Sequence, residues 1–205
     1  MDIRYPVTRY IYRPASQPMA RLLAHTWITP VQVTWASAVL LAAGAVLFGL
    51  GLYLVGALLT LAGAITDCAD GDLARLTGRE SRTGALLDSV LDRWTDSAAI
   101  LALGFSDPDN LGIVASWALV VSLLTSYTRA RAQSLGVDVP DGIGGRDSRL
   151  LLLVVGGVTG WVLLGLVGVA ILGTATSIHR LVLAGKALTR MDNADRSGRG
   201  RRSGL

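Results

Sequence analysis

The residues best suited to chemistry in this sequence are four aspartates between positions 67 and 92. Asp67 and Asp70 are three residues apart, and Asp88 and Asp92 are four apart. In helices each pair lies on one face, and a turn near Gly78 would bring both faces together. Clustered carboxylates repel one another unless a cation lies between them, and Mg²⁺ and Mn²⁺ prefer such oxygen ligands. The spacing therefore predicts a divalent metal site.

The rest of the chain indicates where this site is placed. Of 205 residues, 51% are hydrophobic and 17% are charged, against roughly 25% charged in soluble domains. The ranges 30–66 and 150–178 contain no charged residue. Each is long enough for a membrane span of about 20 residues. The composition predicts an integral membrane protein in contact with lipid, with no nucleic-acid partner.

The predicted fold is all-α, with six transmembrane helices. A break at Gly160 divides the last apolar run into two spans, and without that break the alternative is five. The expected helices lie at 30–51, 53–76, 83–106, 110–134, 146–160 and 162–188.

Basic residues test the number of spans. They occur in four groups, and the joins near 52, 107–110 and 160 contain none. Six spans put all four groups on one face, which the positive-inside rule makes cytoplasmic. We therefore expect both termini and the active site on the cytoplasmic side of the cell inner membrane.

Two flanking segments differ from the apolar middle. Residues 1–28 mix aromatic and aliphatic residues with arginine, which is typical of an interfacial amphipathic helix; a solvated arm is the alternative. The first apolar run begins too late for a cleaved signal peptide. Residues 29–190 would form the six-helix domain, and the Gly-, Ser- and Arg-rich segment 191–205 is predicted to be a disordered basic tail.

The acids belong to a longer pattern. It reads Asp67-x2-Asp70-Gly71-x2-Ala74-Arg75-x8-Gly84-x3-Asp88-x3-Asp92. This resembles the full signature of the CDP-alcohol phosphotransferase (CDP-alcohol phosphatidyltransferase) family. The resemblance implies six membrane helices, usually in a homodimer, with the signature on the second and third helices. It also implies transfer of a phospho-alcohol group from a CDP-linked donor to a small alcohol, with release of CMP.

The resemblance also implies roles for individual residues. Asp67, Asp70, Asp88 and Asp92 would hold two Mg²⁺ or Mn²⁺ ions, and Asp92 would also act as the general base. Metal neutralises phosphate oxygens, and a nearby carboxylate can deprotonate the attacking hydroxyl. Arg75 offers a planar fork for phosphate. The residues implied to bind CDP are Asp67, Asp70, Gly71, Ala74, Arg75, Gly84 and, from the segment "TPVQVT", Thr34.

Arginines on the same predicted face indicate a phosphorylated acceptor. Paired guanidinium donors bind phosphate well, although the positive-inside rule alone would also explain these residues. "SYTRARAQSLG" and "GRDSRLLLL" resemble phosphatidylinositol-phosphate synthases and di-myo-inositol phosphate phosphate synthases, both of which use inositol 1-phosphate. The predicted acceptor residues are Arg79, Arg82, Arg129, Arg131, Arg146 and Arg149.

The substrates are less constrained than the reaction. CDP-diacylglycerol with inositol 1-phosphate is favoured, because relatives that use CDP-inositol often carry an upstream cytidylyltransferase domain, whereas here the first apolar span starts near residue 30. CDP-inositol as donor, or glycerol 3-phosphate as acceptor, is the alternative. A small transporter is a different class of function, but its acids would lie near the middle of the bilayer.

Overall fold

The computed structural model describes residues 7–140 and 144–202, with side chains described up to residue 194. Within these ranges the chain forms helices and no strand, which confirms the all-α prediction. The elements are η1 (Thr8–Tyr12, a π-helix), α1 (Arg13–Leu23), α2 (Pro30–Gly49), α3 (Tyr53–Thr77), α4 (Arg82–Ser106), α5 (Pro108–Ser134), α6 (Arg146–Thr159) and α7 (Val162–Arg202).

Local sequence signals set the helix ends around the acidic segment. Helix α2 starts with a capping box between Thr29 and Gln32. Helix α3 ends at Gly78, whose φ of +65° is readily adopted only by glycine. Ser81 caps α4 by accepting a hydrogen bond from the Gly84 N–H at 3.0 Å. The resulting short turn makes α3 and α4 neighbours and places both aspartate pairs at the same end.

Four helices are long and apolar enough to cross a membrane, judged by length and composition: α2, α3, α5 and the described part of α7. Helix α6 has only 14 residues and would span about 21 Å, less than the roughly 30 Å hydrocarbon core. Helix α4 carries several charged side chains in its first half. An integral membrane protein is thus supported, whereas the predicted count of six spans is not confirmed. The predicted break at Gly160 is present, with φ of +78°.

Helices α2 and α3 pack closely enough to align their polar ends. A Cβ on Gly44 would lie 2.5 Å from Oγ1 of Thr60 and 3.1 Å from the carbonyl oxygen of Gly56. Such small residues let helix backbones approach each other. Phe48 and Leu103 are almost fully buried where α2 meets the central apolar cluster. This packing fixes the register of α2 against the helix that carries the first aspartate pair.

Elements η1 and α1 follow each other directly, and we call them together the N-terminal helix, which packs along α3. Tyr12, Ser16 and Ala20 are buried at four-residue spacing, while Leu22 is 72% exposed. Within the predicted segment 1–28, residues 8–23 are therefore an amphipathic helical stretch, and residues 1–6 lie outside the described part of the chain. Its place at the membrane interface stays a prediction.

Helix α7 runs to Arg202. Most of the segment 191–205 is consequently helical where the sequence predicts a disordered tail, and residues 203–205 lie outside the described part of the chain. Composition alone misses this, because a nucleated helix gains a backbone hydrogen bond with each added residue.

Candidate active site

Hydroxyl groups of α2 hold the two carboxylates of α3. Thr34 Oγ1 donates to Asp70 Oδ2 at 2.5 Å, and both residues are buried. Ser37 Oγ donates to Asp67 Oδ1 at 3.2 Å. Thr34 and Ser37 are one helical turn apart, as are the two aspartates. Ser37 was not predicted, although its spacing from Thr34 matches that of the acids.

Three of the four aspartates singled out in the sequence converge on one point. Asp67, Asp70 and Asp88 each offer a carboxylate oxygen, and these oxygens lie within 4.8 Å of one another. Oxygen ligands at about 2.1 Å from Mg²⁺ stand about 4.2 Å apart across the ion. A small side-chain adjustment therefore lets this group hold one hard divalent cation. Asp92 is not a member of the group.

Asp92 is connected to the group through Arg146, at the start of α6. Arg146 Nη1 lies 2.5 Å from Asp67 Oδ2 and 3.0 Å from Asp92 Oδ1. Its Nε lies 3.2 Å from Asp96 Oδ1. All four side chains are at most 16% exposed, so these ion pairs are shielded from water. Asp96 was missed, although it continues the four-residue spacing beyond Asp92.

A cavity of about 220 Å³ lies between α2, α3 and α4. Six of the seven residues predicted to bind CDP line it, namely Thr34, Asp70, Gly71, Ala74, Arg75 and Gly84. The seventh, Asp67, lies in the wall of the adjoining cavity. We call this 220 Å³ space the nucleotide cavity. Its small side chains leave room for a ligand beside Asp67, Asp70 and Asp88, which we call the metal group.

Arg75 faces the nucleotide cavity with part of its guanidinium free for a ligand. Its Nη2 lies 2.6 Å from Asp72 Oδ1, yet 55% of its side chain is exposed. A Cβ added at Gly71 would lie 3.6 Å from the guanidinium nitrogens. Glycine at this position thus keeps the space above the guanidinium open.

A second cavity, of about 770 Å³, lies on the other side of the metal group, and we call it the N-terminal cavity. Thr8, Arg9 and Arg13 form one side of it. Asp67, Asp70 and Asp88 form the facing side together with their neighbours on α3. The metal group therefore lies where the two cavities meet.

The predicted acceptor arginines do not share one cavity in the described parts of the chain. Arg79 lines the nucleotide cavity. Arg82 is exposed, and so is Arg131, whose Nη1 lies 3.4 Å from Ser134 Oγ. Arg129 lines a separate cavity of about 720 Å³ between α4 and α5. Their predicted common role stays a prediction.

Two arginines near the start of α6 and on α7 are buried. Arg149 is 5% exposed and donates to the Gly144 carbonyl oxygen at 2.9 Å. Arg180 is 3% exposed and donates to the Thr125 carbonyl oxygen at 2.8 Å. The sequence analysis did not predict that Arg180 is buried. A basic residue that directly follows a long uncharged run is, however, a signal that the sequence contains.

Comparison with known proteins places the chain among its relatives. The family described as CDP-alcohol phosphatidyltransferase matches residues 27–184. The bifunctional IPC transferase and DIPP synthase of Rubrobacter xylanophilus is 39% identical over 182 residues, covering 86% of this chain but only 42% of that protein. The phosphatidylinositol phosphate synthase of Cutibacterium acnes is 36% identical over 146 residues, covering 67% of this chain and 70% of that protein.

Solved structures agree with these matches. The crystal structure of Mycobacterium tuberculosis phosphatidylinositol phosphate synthase with CDP-DAG bound has a TM-score of 0.74 and 28% identity, covering 83% of this chain and 94% of that one. Its complex with manganese and citrate also has a TM-score of 0.74, with 30% identity over 82% of this chain and 88% of that one. With the signature residues gathered around one metal group, the chain belongs to the CDP-alcohol phosphatidyltransferase family and is a transferase.

Proposed function

We propose that this protein transfers the phosphatidyl group of CDP-diacylglycerol to a hydroxyl of inositol 1-phosphate or a closely similar phosphorylated alcohol, with release of CMP. One observation carries the proposal: a cavity lined by the CDP signature shares Asp70 and Asp88 with the metal group. A bound nucleotide would thereby hold its diphosphate beside the three carboxylates. The M. tuberculosis enzyme with CDP-DAG bound supports the choice of donor.

Asp67, Asp70 and Asp88 are the residues that would hold Mg²⁺ or Mn²⁺. When bound, divalent metal neutralises the diphosphate oxygens and the charge that develops on the leaving CMP. The manganese complex of the M. tuberculosis enzyme supports this assignment. The proposal includes a second ion, which Asp92 would help to hold.

Asp92 is the proposed general base. It lies one helical turn beyond Asp88 and outside the three-carboxylate group, so it is close to the reaction without being one of the three grouped ligands. The proton of the acceptor hydroxyl moves to Asp92 as the hydroxyl oxygen attacks the phosphorus of the phosphatidyl group, and the bond to CMP breaks. Arg146, paired with both Asp67 and Asp92, keeps the two carboxylates in position.

The remaining signature residues bind the nucleotide. Gly71, Ala74 and Gly84 leave space for it, and Arg75 donates to its phosphate oxygens. Arg79 lines the same cavity, so we assign it to the nucleotide instead of the acceptor. Arg146 is already paired with three carboxylates and is likewise removed from the acceptor set.

Of the four remaining predicted arginines, we assign the acceptor phosphate to the two that are not exposed, Arg129 and Arg149. Arg129 lines a cavity with Ser89 and Arg93 of α4, the helix that carries the proposed base. Arg149 lies one helical turn beyond Arg146. The proposal also includes six membrane crossings, a cytoplasmic active site and a homodimer.

A second candidate keeps the enzyme class and changes the donor to CDP-inositol. The similarity to the DIPP synthase of R. xylanophilus favours it, because that match has the higher identity of the two relatives compared above. In that case the product would be soluble and not a lipid.

CMP release by the purified protein in detergent tests these assignments. With Mg²⁺ or Mn²⁺, we expect release from CDP-diacylglycerol plus inositol 1-phosphate, and loss of release in Asp92→Asn. Asp109→Asn, an exposed aspartate at the start of α5, is the matched control and should keep full activity. Release only with CDP-inositol would select the second candidate, and no release with any CDP-alcohol would overturn both.

A further inference from the structure

The N-terminal helix is tied to both α3 and α6 beside the metal group. Thr8 Oγ1 donates to the Asp147 carboxylate, and the Tyr12 hydroxyl donates to the Asp147 carbonyl oxygen at 3.3 Å. Burial raises the pKa of the Tyr12 phenol, which keeps this donor protonated. Ser16 Oγ donates to Asp72 Oδ2 at 3.2 Å. Residues 8, 12 and 16 share one face, so the helix has a fixed rotation against the catalytic helices.

This rotation points a second set of residues into the N-terminal cavity. Arg9 and Arg13 are four residues apart, directly beside the buried face, and both line that cavity. The Arg9 guanidinium lies 5.5 Å from the centre of the Tyr10 ring. Among the residues that the structure describes, neither arginine has a carboxylate within ion-pair distance. The two permanently charged guanidinium groups therefore line the cavity without a direct ion pair, although five aspartates line it as well: Asp67, Asp70, Asp72, Asp88 and Asp147.

The opposite wall of this cavity carries Asp67, Asp70 and Asp88. A ligand that enters must therefore satisfy a cation held by the aspartates on one side and two guanidinium groups on the other. A phosphate ester does both, because its oxygens bind hard cations and accept paired hydrogen bonds from arginine. The volume of about 770 Å³ is large enough for a substrate headgroup.

We propose that Arg9 and Arg13 bind a phosphate group of a substrate in the N-terminal cavity, which makes the N-terminal helix a wall of the active site and not only a membrane anchor. This inference rests on the proposed function, and it names residues that the family signature does not contain. Both the CDP-linked donor and a phosphorylated acceptor carry the chemistry required. The two sources are separated by experiment.

The test uses the full-length protein with Arg9→Gln combined with Arg13→Gln, and the same pair changed to Lys. Arg21→Gln is the matched control, since Arg21 is exposed on the same helix and lines none of the cavities described above. KM is measured with donor and acceptor varied in turn. We expect the double Gln variant to raise one KM about tenfold with little change in kcat, the Lys pair to restore part of it, and the control to match the parent. A higher donor KM assigns the donor phosphate, and a higher acceptor KM the acceptor phosphate.

Unchanged KM for both substrates, or an equal change in Arg21→Gln, would overturn the proposal. The second result would indicate general attraction to anionic lipid. Binding measured by calorimetry in the Asp92→Asn background gives a readout that needs no turnover. There, we expect the Gln pair to weaken binding of CDP-diacylglycerol or inositol 1-phosphate about tenfold, even if the assigned reaction proves wrong. A melting temperature equal to the parent excludes unfolding as the cause.

Discussion

The nucleotide cavity and the arginines predicted for the acceptor differ in how the chain builds them. Most of the nucleotide cavity comes from α3 and α4, two consecutive helices joined by the short turn at Gly78. The arginines come from the same turn, from α4, from α5 and from α6, and Arg79 and Arg129 line different cavities. A site built within one helical hairpin has its geometry set by local spacing. A site assembled from distant helices depends on packing that no short motif contains.

The largest expected effect tests the metal group at the centre of the hairpin. Asp88→Asn removes one of the three converging carboxylates, and we expect CMP release to fall at least about 1000-fold, because metal contributes several kcal/mol to transition-state stabilisation. Mn²⁺ binding, followed by electron paramagnetic resonance, should weaken in parallel. Chelation by EDTA should abolish activity in the parent, and added Mg²⁺ or Mn²⁺ should restore it. Activity that survives both treatments would contradict the metal assignment.

The next effect separates chemistry from binding within the same hairpin. Asp92→Asn should lower kcat about 100- to 10,000-fold, as expected for loss of a general base. The dissociation constant for CDP-diacylglycerol should stay within about threefold of the parent, since Asp92 does not line the nucleotide cavity. Single-turnover measurements with saturating donor would distinguish the two quantities. A loss of donor binding equal to the loss of kcat would make Asp92 a ligand-binding residue.

A third prediction compares the two regions directly by making the same conservative substitution, arginine to lysine, in each of them. Arg75→Lys removes the bidentate fork and should raise the donor KM about tenfold, with the acceptor KM unchanged. Arg129→Lys should do the reverse if Arg129 holds the acceptor phosphate. Steady-state kinetics with each substrate varied in turn would measure both. If both variants changed the same KM, the proposed division between nucleotide and acceptor residues would be wrong.

The smallest expected effect concerns the support that α2 gives to the hairpin. Ser37→Ala removes a hydroxyl that lies 3.2 Å from Asp67 Oδ1 and 2.8 Å from the carbonyl oxygen of Thr34. Loss of the bond to Asp67, worth about 1 kcal/mol, should reduce kcat/KM about fivefold. Thr66→Ala is a suitable control, because among the described residues the Thr66 hydroxyl bonds to the Ala62 carbonyl oxygen of its own helix and to no carboxylate. Its activity should match the parent. Equal losses in both variants would show that the Ser37 effect is not specific to Asp67.

The sequence predicts the hairpin well for a physical reason. The spacing between Asp67 and Asp70, and between Asp88 and Asp92, specifies a shared helix face, and Gly78 supplies the turn. These relations hold over one or two helical turns, so they can be read without knowing the tertiary structure. They account for the placement of all four aspartates at one end of the hairpin, whereas the grouping of Asp67, Asp70 and Asp88 without Asp92 depends on how the helices pack.

The contacts that the sequence did not predict all join distant parts of the chain. Arg146 was assigned to the acceptor because it is basic and lies near other arginines, but packing of α6 against α3 brings it to Asp67 and Asp96. Ser37 reaches Asp67 through the close packing of α2 and α3. Long-range pairings of this kind depend on helix register and crossing, which single-sequence patterns do not specify.

The shared ion pairs of Arg146 bear on the order in which the protein assembles. Because Arg146 follows all three acids in the chain, Asp67, Asp92 and Asp96 are synthesised before their guanidinium partner. Buried acids without a partner repel one another and are costly to desolvate, so the hairpin gains this neutralisation only when α6 docks. The charge balance of the site is therefore completed late in biosynthesis, and a fragment that ends before α6 would lack the residue that stabilises the acids of its first half.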